Sequence, residues 1–105
     1  MMLQDWLKNQ LGGEIPPGLL LVGFVAEADE EAALKALIHA AGEAVPEILF
    51  IRVPQEKKLA AASEVSRTPT LLFTAGGREL ARIYRPGSPE QLKAALAAVR
   101  GGLHD

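Results

Sequence analysis

Three consecutive carboxylates, Asp29, Glu30 and Glu31, form the densest group of side chains able to move protons or hold a cation in this sequence. Carboxylates do acid–base work when their surroundings push their pKa values apart. No third group stands near them in the pattern to complete a hydrolytic site. Hard cations draw oxygen ligands from more of a chain than one helical turn, so neither a metal nor another cofactor is expected. The plainer reading is that the acids open a helix, with Asp29 as its cap and negative charge matched to the helix dipole. His39, one residue past Ile38, reads as a core-edge residue rather than a ligand, and His104 belongs to the tail. Arg67 either pairs with Asp29 or Glu30 or is an exposed arginine of little energetic weight. The chain contains no cysteine. That single absence removes disulfides, thiol nucleophiles, iron–sulfur ligation and most structural zinc sites.

The segment that must position any such chemistry is Ser66-Arg67-Thr68-Pro69-Thr70-Leu71-Leu72-Phe73-Thr74. Proline cannot donate to a sheet ladder, so it belongs at or just before the first residue of a strand. A cis bond occurs in about 5–6% of X–Pro linkages, so a cis Thr68–Pro69 bond would answer a specific local demand. Gly76-Gly77 then turns the chain into a second strand, Arg78 to Arg85.

The remaining elements follow from periodicity. Leu3, Trp6, Leu7 and Leu11 describe an amphipathic helix that Gly12-Gly13 ends. Leu19 to Val25 is apolar on both faces, as a doubly covered parallel strand should be. Leu34, Leu37, Ile38 and Ala41 give the next helix its buried face, closed by Gly42 and Pro46. Ile48 to Val53 reads as a second doubly covered strand, stopped by Pro54, and Glu56 to Val65 as a short helix with Leu59, Ala62 and Val65 inward. Ser88-Pro89-Glu90-Gln91 is a capping box. The helix it opens buries Leu92, Ala95, Leu96, Val99 and Leu103 and stops at Gly101-Gly102.

These 105 residues, 49% apolar and 23% charged, suffice for a single soluble globular domain spanning residues 1–105. A net charge of −2 argues against nucleic acid or an anionic membrane as partner. Met1 to Trp6 lacks the basic start and apolar stretch of a signal peptide, and the longest apolar run is too short to span a bilayer. A cytoplasmic protein is expected.

Helix, strand, helix, strand, helix, hairpin and helix, with Thr68-Pro69-Thr70 ahead of Leu-Leu-Phe and a glycine turn, closely resembles the thioredoxin family over residues 3–103. The resemblance implies an α/β three-layer fold with a central mixed four-stranded sheet and a cis Pro69. Phe24-Val25-Ala26-Glu27-Ala28 matches the approach to the family's redox motif, and Asp29-Glu30-Glu31-Ala32 stands where its two cysteines would be. Ala28 replaces the family tryptophan, Gly23 the buried carboxylate, Phe50 that carboxylate's lysine neighbour, and Arg85 a groove glycine. Thiol–disulfide exchange needs a thiolate, so oxidoreductase activity is not expected.

The resemblance favours a redox-inactive module that docks a peptide or protein, in a binding or chaperone-like role. The docking face would be the former active-site face: Asp29, Glu30, Glu31, Ala32, Arg67, Thr68, Pro69 and Arg85. Two rivals stay open, a non-thiol enzyme using Asp29 to Glu31 and a structural subunit that forms a homodimer.

Overall fold

A computed structural model describes residues 2–42 and 47–103. Pro46 and His104 lie outside the described residues, as does the side chain of Leu103. The elements are α1 (Leu3–Gln10), β1 (Leu19–Val25), α2 (Ala28–Ala40), β2 (Ile48–Arg52), α3 (Lys57–Ala62), β3 (Thr70–Ala75), β4 (Arg78–Tyr84) and α4 (Pro89–Leu103). One sheet in the order β2-β1-β3-β4 carries them. β1 runs parallel to β2 and antiparallel to β3, and β3 runs antiparallel to β4. This is the mixed four-stranded sheet that the sequence implies.

The two-residue period of β1 sorts its side chains onto two cores. Leu20, Val22 and Phe24 join Trp6 and Leu7 of α1, Ile51 of β2, Leu72 of β3 and Leu59 and Ala60 of α3. On the other face Leu21 joins Leu71 and Phe73 of β3, Ala41 beyond α2, and Leu92, Leu96 and Val99 of α4. Each fully buried Leu or Phe contributes about 1.5–3 kcal/mol, so these two layers fix which face each helix covers. The hydroxyls of the two buried threonines are satisfied, Thr74 Oγ1 donating to the Leu20 carbonyl at 2.8 Å and Thr70 Oγ1 to the Arg67 carbonyl at 2.6 Å, whereas the buried Ser63 Oγ has no partner among the described residues.

Several boundaries differ from the sequence reading. β2 is an edge strand, only partly covered, and ends at Arg52 in a 3-10 turn over Val53–Gln55. α3 buries Leu59 and Ala60 rather than Ala62, and stops at Ala62. Its end is a Schellman motif: Val65 N–H donates to the Ala60 carbonyl and Glu64 N–H to that of Ala61, with Glu64 in the left-handed region at φ 57°. Leu37 and Ile38 of α2 are only half-buried. α4 does not stop at Gly101-Gly102 but runs through both. Its capping box forms, with Gln91 N–H donating to Ser88 Oγ at 3.2 Å and Gly87 N–H to Gln91 Oε1 at 2.9 Å.

Candidate functional site

The first corner of the site is the start of α2. The helix begins at Ala28 and its N-cap is Glu27, two residues before the expected cap Asp29, with no capping bond from its side chain. Asp29 is therefore the second helical residue and not the cap. Glu30, at the third position, reaches back as Gln91 does in α4: its Oε1 accepts from Ala26 N–H at 2.6 Å. Its other oxygen accepts from the Thr68 hydroxyl at 3.3 Å. One carboxylate thus ties the helix start to the proline loop.

Glu31 is held elsewhere. Its carboxylate contacts Lys35 Nζ at 3.2 Å and Arg52 Nε at 3.4 Å. The Lys35 hydrogen bond, with Arg52 adding to it, keeps this carboxyl below the usual glutamate range against a smaller desolvation effect. Val25 and Arg52 are register partners at the same end of the parallel pair, which brings Arg52 to the start of α2. Asp29 and Ala32 are exposed, and Asp29 has no partner among the described residues.

The second corner is the loop before β3. The Thr68–Pro69 peptide bond is cis. Among the described residues, neither the Thr68 N–H nor its carbonyl has a hydrogen-bond partner. Thr68 and Pro69 are half-buried. The Pro69 carbonyl accepts from Arg85 N–H at 2.9 Å, which pins the third corner, the exit from β4. Arg85 has φ 53°, the left-handed region that favours glycine, at the position where the resemblance places one.

Arg67 pairs with neither Asp29 nor Glu30. Its guanidinium lies over the Tyr84 ring, 4.2 Å from the centroid. Tyr84 is 40% exposed, so an aromatic surface is present at this end of the sheet. Its signal in the sequence is its place as the last residue of β4, directly before Arg85. A groove of about 610 Å³ opens beside the loop, lined by Val53, Lys57, Ala60, Ala61, Val65 and Ser66 among others. Neither the groove nor Arg52 is visible as part of a site in the sequence, because both depend on where β2 and α3 end.

Beneath α2, Gly23 and Phe50 are register partners on β1 and β2. A Cβ on Gly23 would stand 3.1 Å from two Phe50 ring atoms and 3.2 Å from Leu34 Cδ1. The ring thus fills the space that a buried carboxylate at position 23 would need. No three acidic or histidine side chains are grouped to hold a metal ion among the described residues. His39 is exposed on α2. No described helix is long and apolar enough to cross a membrane.

No protein-family model and no curated protein matches the chain. Solved structures do. Thioredoxin 2 of Pseudomonas aeruginosa PAO1 in its reduced form is 25% identical with a TM-score of 0.71, over 94% of this chain and 89% of that one. A thioredoxin of Halobacterium salinarum is 22% identical with a TM-score of 0.65, over 77% of this chain and 74% of that one. A malaria parasite thioredoxin-2, described as a component of that organism's protein secretion machinery, is 19% identical with a TM-score of 0.60, over 76% of this chain and 82% of that one. The chain has the thioredoxin fold and no cysteine to carry thiol–disulfide chemistry.

Proposed function

We propose that the chain is a redox-inactive binding module that holds an extended segment of a peptide or protein at the end of the sheet where α2, the proline loop and the exit of β4 meet. The observation that carries this reading is the unpaired N–H and carbonyl of Thr68, displayed on a loop that is itself fixed. Glu30 ties that loop to α2 and Arg85 ties it to β4, so its backbone is already ordered. An extended strand can pair with one N–H and one carbonyl in the manner of strand addition, while the groove beside Ala60 and Val65 takes an apolar side chain. Preorganisation lowers the entropy cost of such binding. With one partly exposed tyrosine as aromatic anchor, affinity should be on the order of micromolar.

The rival catalytic use of Asp29, Glu30 and Glu31 has less support. Two of those carboxylates are engaged within the chain, and no base or nucleophile stands beside the third among the described residues.

The test is an amide chemical-shift titration with a bound segment recovered from a partner. Shifts should cluster on residues 26–32, 66–69 and 84–87. Shifts confined to α1 or to the outer face of α4 would refute the reading.

A further inference from the structure

The charges around Thr68 are unevenly spent, and the imbalance bears on which peptide fits. Glu30 has both oxygens occupied, by Ala26 N–H and by the Thr68 hydroxyl. Glu31 sits between Lys35 and Arg52. The charge of Glu31 is therefore met by two cations, while Glu30, bonded only to a neutral amide and a neutral hydroxyl, keeps its negative charge on the α2 side of Thr68. The arginines of the loop and of the β4 exit meet no carboxylate among the described residues. Arg67 has no carboxylate partner among the described residues, and its only contact of note is the Tyr84 ring 4.2 Å away. Stacking fixes a guanidinium while leaving its in-plane N–H donors available to a carboxylate. Arg85 is held at its backbone by Pro69, and its side chain has no partner among the described residues. On the loop itself, the N–H groups of Ser66, Arg67 and Thr68 donate to no acceptor among the described residues.

Two uncommitted guanidinium groups and three uncommitted amide donors on one loop and its neighbour favour an anion. We propose that this face selects an extended peptide carrying an acidic side chain, whose carboxylate is taken by Arg67 and Arg85 while its main chain pairs with Thr68. The proposal rests on the peptide-binding reading above and adds the chemical class of the ligand. Asp29, exposed and unpaired on α2, sets the polarity: the acidic residue lies on the β4 side of Thr68, away from the helix. The whole chain is acidic, at −2, so a preference for an acidic ligand must come from these local groups rather than from the overall field.

The experiment uses the full chain and three fluorescein-labelled peptides of alternating Val and Ser with a single central Glu, Gln or Lys, read by fluorescence anisotropy. The Glu peptide should bind about tenfold more tightly than the Gln peptide, the size of one charge-assisted contact, and the Lys peptide more weakly than either. Arg67→Gln combined with Arg85→Gln should abolish the preference, so that the Glu and Gln peptides bind the variant equally. Arg67→Lys, which keeps the charge without the planar fork, should retain part of the preference and guards against misreading a folding defect. Equal binding of all three peptides would overturn the selectivity and leave the peptide-binding reading standing. A Glu preference that survives in the double variant would also overturn it. Binding by none of the three would sink the peptide-binding reading itself, and the selectivity with it.

Discussion

At the level of single residues, a contact between neighbouring strands fills the space beneath the start of α2. The Phe50 ring covers the backbone of Gly23, 3.1 Å from where a Cβ would stand. Gly23→Asp must displace that ring and bury a carboxylate at the same time, so it should destabilise the protein by at least about 2 kcal/mol in urea unfolding. In a Phe50→Ala background the same substitution should cost at least about 1 kcal/mol less, a coupling that a double-mutant cycle reads directly. Equal costs in both backgrounds would mean the ring does not occupy that space. Glu31 offers a second residue-scale test. Its folded pKa lies below the ordinary 4.5, so its contribution is present above that value and disappears as pH falls through the folded pKa. The urea-midpoint difference between the native chain and Glu31→Gln should be small at neutral pH, since the pair is exposed and screened by salt, and should vanish in acid. A difference that grows below pH 4.5 would contradict this sign. The pairing of Gly23 with Phe50 could be anticipated from sequence, through the resemblance. The work of Glu30 could not. Its reach back to Ala26 depends on the helix starting at Ala28, and three adjacent acids do not reveal which of them turns inward.

Among the elements, periodicity gave the strands, helices and their order, because each buried face needs its own spacing of apolar residues. Ends and neighbours were harder to read. Ile48 to Val53 is as apolar as β1, yet the strand lies at the sheet edge, and coverage depends on what packs beside it rather than on its own residues. Gly101-Gly102 should break a helix by propensity alone, but α4 continues through them to Leu103. The end of α3 carries its own prediction. Glu64 occupies the left-handed C′ position of a Schellman motif, where glycine is preferred. Glu64→Gly should raise stability by about 0.5–1 kcal/mol, whereas Glu64→Ala, which keeps the Cβ, should give no such gain. Arg82 braces the same turn by donating to the Ser63 and Glu64 carbonyls at 2.8 and 2.9 Å, so the comparison is best made with Arg82 intact. Equal stability of the glycine and alanine variants would show that the left-handed backbone there is unstrained.

Across the whole molecule, the scaffold and the chemistry separate cleanly. The sheet order and the cis proline loop are those the resemblance implies, while Gly23, Ala28, Asp29 and Ala32 stand where it would place a buried carboxylate, a tryptophan and two cysteines. Asp29 and Ala32 stand three residues apart on the first turns of α2, both exposed. Asp29→Cys with Ala32→Cys should therefore place two thiols within bridging range and oxidise to an intramolecular disulfide in air. Reductase activity should stay near background, because Gly23 and Ala28 still lack the supporting groups. Thiols that remain free under oxidant would show that the geometry of the helix start has not been kept. The central claim is narrower: the Thr68 backbone is the docking point of an extended partner. Residue-resolved amide hydrogen exchange of the free chain and of its complex tests it most directly. The Thr68 amide has no partner in the chain and should exchange rapidly when free, then slow at least about tenfold in the complex as it donates to the bound strand. A Thr68 amide that exchanges equally fast in both, with protection gained on α1 or α4 instead, would contradict the account.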